Sequence, residues 1–179
     1  MKLKTASLDA SHLWAFTAII VVSLLTALAA WIRIPLPFTP VPITLQTLVV
    51  LMGGAILGSR NGAIAQLAYL GYGLAGFPVF SGGTFGFAIL AGPTGGYLLA
   101  FPVAAWLTGF LIKKYDRFYF NVSMLLLASL PILLLGTLQL SYFTGQDFLT
   151  ALTLGAIPFI AGDFVKCAAG AGLLRFFIK

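Results

Sequence analysis

An acidic and a basic residue lie close together inside an apolar segment near the end of the chain. Asp163 and Lys166 occur in the run IPFIAGDFVKCAAGAGLLRFFI (157–178). Three residues apart, they share one face if the run is helical. Charges at bilayer depth are costly unless they are paired, hydrated or used. The pair therefore predicts a binding site, where Asp163 accepts hydrogen bonds and Lys166 donates them. The alternative is a structural ion pair between helices.

The composition indicates that this segment lies in a membrane. Of the 179 residues, 60% are hydrophobic and 8% are charged, and the mean hydropathy is +1.06. A soluble domain is nearer half apolar and a quarter charged. The net charge of +6 does not indicate nucleic-acid binding, because the basic residues lie in short loops and at the ends. We therefore predict an all-α integral membrane protein that contacts the lipid bilayer.

The apolar stretches predict a single domain of six transmembrane helices, each needing about 20 residues to span. Gly155 and Pro158 are expected to break the sixth region near its start. The predicted helices cover approximately residues 13–31, 43–57, 62–76, 94–112, 122–143 and 158–178.

Basic residues are distributed unequally between the two sides of this bundle. One side has a single basic residue, Arg33, whereas the other side has eight. The positive-inside rule assigns the side with eight basic residues to the cytoplasm, which places both termini there. The external loops are then 33–42, 77–93 and 144–148. The eight predicted cytoplasmic residues are Lys2, Lys4, Arg60, Lys113, Lys114, Arg117, Arg175 and Lys179.

Two external loops have unusual compositions. Residues 33–42 read RIPLPFTPVP, and four prolines predict a stiff, extended segment. Residues 77–93 are apolar and rich in glycine, which is typical of backbone that folds over a cavity rather than of an exposed linker. Around these loops Thr39, Thr44 and Gln46 are candidates to hydrogen-bond a ligand, and Phe80 and Tyr97 are candidate walls. Capping and surface hydration explain the polar residues about equally well. For any single aromatic residue, a structural role at the membrane interface is the favoured explanation.

Small residues recur on the first helix as Ser23-x-x-x-Ala27 and Thr26-x-x-x-Ala30. Such a face permits close approach of another helix. Ser23, Ala27 and Ala30 are therefore candidates for docking a membrane partner. Packing within the bundle is the alternative that the spacing slightly favours.

The sequence lacks the motifs that define several classes of enzyme. There is no P-loop for ATP hydrolysis and no HExxH or GxSxG motif. The single cysteine, Cys167, excludes an internal disulfide and a CxxC metal site. A binding protein that takes its energy from elsewhere, with no metal and no cofactor, fits better than an enzyme.

Four segments resemble the BioY family of biotin transporters, in the same order along the chain. They read IPLPFTPVPITLQTLVVLMGGAILG (34–58), GLAGFPVFSGG (73–83), GPTGGYLLAFP (92–102) and IPFIAGDFVKC (157–167). The resemblance implies a six-helix substrate-binding (S) component of an energy-coupling factor (ECF) transporter. It also implies location in the bacterial cytoplasmic (inner) membrane, with a transmembrane T protein and two ABC-type ATPases as partners.

The resemblance also implies which residues bind the ligand. The family motif G-D-x-x-K falls on Gly162, Asp163 and Lys166, which should contact the biotin head group. The two external loops should close over the ligand. Since the glycine-rich loop has no Arg or Asn, the biotin carboxylate should rely on backbone N–H groups, Lys166, water or the hydroxyls of Ser81, Thr84 and Thr94.

The predicted function is thus high-affinity biotin binding and uptake. A pocket with apolar walls and a few converging polar groups suits the ureido ring, apolar body and carboxylate of biotin. Two alternatives remain: an S component for another small vitamin, and a membrane enzyme acting on a lipid-soluble substrate.

Overall fold

The computed structural model describes residues 10–112 and 117–177, which form eight helices and two short strands. The predictions that involve Lys2, Lys4, Lys113, Lys114 and Lys179 lie outside these residues. The elements are α1 (Ala10–Ala29), β1 (Arg33–Ile34), β2 (Ile43–Thr44), α2 (Gln46–Leu74), α3 (Phe87–Ala91), α4 (Gly95–Leu99), α5 (Phe101–Leu111), α6 (Phe118–Thr144), α7 (Phe148–Gly155) and α8 (Ile157–Phe177).

The long element α2 is a hairpin of two helical halves. Gly58, at φ +78°, interrupts it with a backbone conformation that favours glycine. The Gln46 amide donates to the Tyr69 hydroxyl at 2.7 Å, whereas 23 residues of straight helix would separate them by roughly 35 Å. The predicted helices 43–57 and 62–76 fall in these two halves, so the chain reverses at Gly58 with almost no loop.

The proline-rich segment is framed by a small antiparallel ladder. Arg33 pairs with Thr44 and Ile34 with Ile43. Residues 43–45 were expected to be helical, but they lie in this ladder instead. The ladder extends to Leu45, whose N–H donates to the Ile32 carbonyl at 3.1 Å. The ladder closes the loop into a compact flap beside the start of α2.

The glycine-rich loop is more structured than predicted. It contains α3 and an antiparallel bridge between Phe80 and Thr84. Gly82 and Gly83 have φ values of +79° and +72° and make the sharp turn. The Gln139 side chain of α6 donates at 2.7 Å to the carbonyls of Leu90 and Gly92. These bonds fix the end of the loop where α4 begins.

The sixth apolar region consists of two elements, α7 and α8, that meet at Ala156. Asp147 caps α7, since its carboxylate accepts the Thr150 N–H at 3.1 Å. Hydrogen bonds from the Thr150 hydroxyl and N–H hold the Asp147 pKa below its usual value. The break lies between Gly155 and Pro158, where it was predicted, and α8 then carries Asp163 and Lys166.

Four helices are long and apolar enough to cross a bilayer within the described residues. They are His12–Ala29, Gln46–Leu74, Phe118–Thr144 and Ile157–Phe176, with a shorter apolar helical stretch at Gly95–Leu111. This gives a largely helical bundle in which one long element is folded back on itself.

The small-residue face of α1 lies inside the bundle. Ser23 and Ala30 are fully buried and Ala27 is 8% exposed. The Gln66 amide of α2 donates to the Thr26 hydroxyl at 3.3 Å. The docking role expected for Ser23, Ala27 and Ala30 stays a prediction, and α2 already packs against this face. Its burial favours the alternative of packing within the bundle.

Candidate functional site

The two charged residues of α8 form one side of a cavity. Lys166 Nζ lies 2.7 Å from Asp163 Oδ1, and the two side chains are 12% and 7% exposed. The same ammonium donates to the Thr44 carbonyl at 3.3 Å and to the Thr47 hydroxyl at 2.6 Å. All three ammonium donors are thereby used. These contacts attach the middle of α8 to the start of α2.

One oxygen of Asp163 remains available to a ligand. Within the described part of the chain, Asp163 is paired with Lys166, and this ion pair uses the carboxylate oxygen Oδ1. A carboxylate accepts several hydrogen bonds, so Oδ2 has spare capacity. Thr47 accepts from Lys166 and lines the cavity, and its own O–H has no acceptor among the described residues. The cavity therefore presents one acceptor, Asp163 Oδ2, and one donor, the Thr47 hydroxyl.

Apolar side chains form most of the remaining wall. The deep cavity has a volume of about 60 Å³ and includes Leu98, Phe101, Ile132 and Phe159 in its lining. An apolar wall excludes water and strengthens the few hydrogen bonds made inside it. This combination of apolar walls and a small polar cluster is typical of a site for a small organic molecule.

A second cavity adjoins the first on the side of the external loops. It measures about 260 Å³, and its lining includes Arg33, Phe80 and Thr84. The two cavities share four lining residues: Pro42, Ser81, Thr94 and Leu98. Ligand pockets typically measure roughly 300–1,000 Å³, so a vitamin-sized ligand needs both. The site is thus bipartite, with a deep part at α8 and an outer groove beneath the loops.

Two predicted site residues, Gln46 and Tyr97, line the deep cavity but are committed to structural bonds. The Gln46 amide donates to Tyr69, as described above. The Tyr97 hydroxyl donates to the Gly155 carbonyl at 2.7 Å and so attaches α4 to the end of α7. The amide oxygen of Gln46 has no donor among the described residues. Gln46 is therefore the better ligand partner of the two.

Among the loop residues, Ser81 has the clearest signal of a ligand contact. Its hydroxyl oxygen is buried, has no hydrogen-bond partner among the described residues, and lines both cavities. A buried polar atom of this kind normally has a partner. Thr84 lines the outer groove and donates to the Ser81 carbonyl at 3.2 Å. Thr94 stands at the junction of the two cavities.

Three further predicted residues have structural contacts or lie beside the deep cavity. Phe80 is fully buried and meets the Tyr69 ring edge-on, with centroids 5.7 Å apart, so it supports the groove from below. The Thr39 hydroxyl accepts Val41 N–H at 3.4 Å within the flap. Gly162 borders a separate apolar groove on the outer side of α8. It lies beside the charged pair rather than inside the deep cavity.

Sequence reasoning missed three parts of the site. Thr47 and the Thr44 carbonyl contact Lys166 across 119 and 122 residues of chain. Arg33, interpreted only as a topology signal, lines the outer groove. For Arg33 no local signal exists.

The fold and site together define a multi-pass membrane protein with a small-molecule site, of the kind that transporters use to bind substrate. The chain matches the BioY family over residues 2–179, and it belongs to that family. Membership makes it a substrate-binding subunit of a transporter rather than an enzyme.

Individual relatives agree with this assignment. The biotin transporter BioY2 of Lactococcus lactis subsp. cremoris is 38% identical, with 87% of this chain and 85% of the relative covered. The biotin transporter BioY of Thermotoga maritima is 36% identical, with 87% of each chain covered. Among solved structures, the S-component for biotin from an ECF-type ABC transporter superposes with a TM-score of 0.87. It is 27% identical and covers 96% of this chain and 98% of its own.

Proposed function

We propose that this chain binds biotin and supports its uptake as the S component of an ECF-type ABC transporter. The observation that carries this proposal is the buried Asp163–Lys166 pair, open on one side to an apolar cavity. The relatives named above are biotin transporters, and the similar solved structure is a biotin S-component. A neutral ureido ring offers both N–H donors and a carbonyl acceptor, as this cluster requires.

The contacts suggest how the ureido ring is held. Asp163 accepts a ring N–H with its second oxygen, and Thr47 donates its hydroxyl proton to the ring carbonyl. Lys166 holds both partners in position, since it contacts each of them. It donates to the ligand carbonyl directly only if the ligand displaces the Thr44 carbonyl, its longest bond at 3.3 Å. Gln46, Ser81, Thr94 and Tyr97 complete the proposed contacts.

The two external loops act as a lid in this proposal. Residues 77–93 form one wall of the outer groove and residues 33–42 form another. Binding commits such segments to one conformation. Hydrogen exchange of both loops should slow when biotin is added, and unchanged exchange at saturating biotin would exclude the lid.

The energy for uptake comes from other subunits. A binding subunit without a P-loop cannot drive accumulation, so we propose a T protein and two ABC-type ATPases as partners in the bacterial cytoplasmic membrane. We also propose six crossings with both termini inside, because the hairpin at Gly58 makes α2 count twice and residues 95–111 supply a further apolar helix.

Binding to the purified chain tests the function directly. Calorimetry should show saturable, tight biotin binding, with no heat from thiamine or riboflavin at the same concentrations. Cells that carry the chain together with an ECF module should concentrate labelled biotin. Absence of biotin binding, or tighter binding of another vitamin, would reject the proposal.

A further inference from the structure

Arg33 stands at the outer groove with a charge that no carboxylate neutralises. Its side chain is exposed and lines the groove. Within residues 10–112 and 117–177, Arg33 forms no ion pair, and the ion pair that is observed joins Asp163 and Lys166. A guanidinium presents a planar set of donors that matches a carboxylate bidentately. The groove therefore has a free anion-binding group at its edge.

The fold holds this guanidinium in place. Arg33 pairs with Thr44 in the β ladder, and Thr44 in turn contacts Lys166. On its other side the guanidinium lies against the turn at Gly82. A Cβ at Gly82 would come within 2.8 Å of Arg33 Cζ, so the guanidinium packs directly on the backbone of this turn. The ladder and the turn position Arg33 from both sides.

A second group next to Arg33 also lacks a partner. The buried hydroxyl oxygen of Ser81 is without a hydrogen bond within the described chain, and Ser81 lines both cavities. A hydroxyl donates to a carboxylate as readily as to a carbonyl. Because Arg33 and Ser81 line the same groove, the guanidinium and the hydroxyl together offer donors to one carboxylate.

The distribution of charge sets the direction of the ligand. In the deep cavity Lys166 is neutralised by Asp163, so that end suits a neutral polar group. The outer groove has Arg33 as its charged lining residue. Since neither cavity accommodates a vitamin alone, a bound molecule spans both. A ligand with a neutral ring at one end and an acid at the other has one favourable orientation.

Building on the proposed function, we propose that Arg33, with the Ser81 hydroxyl, binds the carboxylate of biotin. The contact makes the site selective for the free acid over its neutral esters and amides. Charge-assisted hydrogen bonds are worth more than neutral ones, although exposure of the guanidinium limits the gain through screening. Arg33 is thus a specificity-determining residue contributed by the flap.

The test uses the full-length chain in detergent or nanodiscs, titrated with biotin and with biotin methyl ester. Arg33→Gln should weaken biotin binding by about tenfold, within the range for a charged hydrogen bond. Ester binding should stay unchanged, which also shows that the variant is folded. Arg33→Lys should recover part of the loss, since it keeps the charge but not the bidentate geometry.

The matched control is Arg60→Gln, an exposed arginine just after Gly58, which should leave both affinities unchanged. Equal weakening of biotin and ester by Arg33→Gln would indicate a structural role and overturn the inference. Unchanged biotin binding would overturn it as well. A wild-type chain that binds neither compound would instead reject the proposed function, so the two failures are distinguishable.

Discussion

Asp163 and Lys166 are stable at their depth because each satisfies the other and Lys166 has two further acceptors. The pair brings no net charge into the apolar interior, yet it leaves a carboxylate oxygen facing the deep cavity. Removing one member of a buried pair leaves the other charge uncompensated, which commonly costs about 3–5 kcal/mol. The same pair therefore holds α8 to α2 and is also the proposed contact for the ligand.

Asp163→Asn keeps the shape of the side chain but removes its charge and one acceptor oxygen. We expect biotin affinity to fall by about two orders of magnitude or more, since 1.4 kcal/mol corresponds to a factor of ten. Lys166→Met should have a similar effect, because Asp163 loses its cation. Calorimetry measures both. Asp147→Asn, at the exposed cap of α7, is the control and should bind normally. Normal binding by both site variants would place the ligand elsewhere.

The type of site was predictable at the level of single residues, but its full composition was not. Two charges in an apolar run were sufficient to indicate where the polar group of the site lies. Thr47 and Arg33 join it only because separate elements meet, across 119 residues in the case of Thr47. Such contacts depend on tertiary folding and leave no local pattern. The small residues of α1 show the opposite problem, because one pattern serves packing and docking equally.

At the scale of elements, glycines set the distances between helices. A Cβ at Gly54 would come within 2.8 Å of the Ala105 carbonyl carbon in α5, and one at Gly62 within 2.7 Å of Gly54 Cα. Backbones approach this closely only where side chains are absent. Both halves of α2 and α5 thus meet at Gly54. This packing supports the end of the bundle opposite the cavities.

Gly54→Ala should destabilise the bundle by about 1–3 kcal/mol, the usual cost of overpacking. Its control is Gly71→Ala in the same element, where a Cβ meets nothing within 4 Å. That change should be neutral or stabilising by up to about 1 kcal/mol, because alanine is the better helix former. Thermal unfolding in one detergent compares the two. Equal melting temperatures for both variants would contradict the close packing at Gly54.

The helical segments were largely predictable from the sequence, whereas the helix ends and the connections between helices were less predictable. Apolar runs between charged residues mark α1 and α6 directly. The start of α2 shifted to Gln46 because the β ladder holds residues 43–45, a pairing with Arg33 and Ile34 that sequence periodicity does not show. The helix α3 went unpredicted since five residues are too short for a periodic signal. Glycine and proline still located the break between α7 and α8.

At the scale of the whole molecule, much of the described surface is apolar. Large side chains such as Trp14, Phe110 and Leu138 are more than half exposed along the helices. In water such a surface would aggregate, whereas in a bilayer it faces lipid. The described helices thus present hydrocarbon-compatible faces outward, while the polar groups of the site converge inward. The orientation in the membrane then depends on the basic residues at the helix ends.

The proposed six crossings place Arg60 and Asp147 on opposite sides of the membrane. The chain reverses just before Arg60, at Gly58, and it crosses outward again in α6 before Asp147. Single cysteines at these exposed positions test this in a Cys167→Ala background, which removes the native thiol. An impermeant maleimide should label Asp147→Cys in intact cells but label Arg60→Cys only after permeabilisation. Labelling of both in intact cells, or the reverse pattern, would reject the orientation that the positive-inside rule predicts.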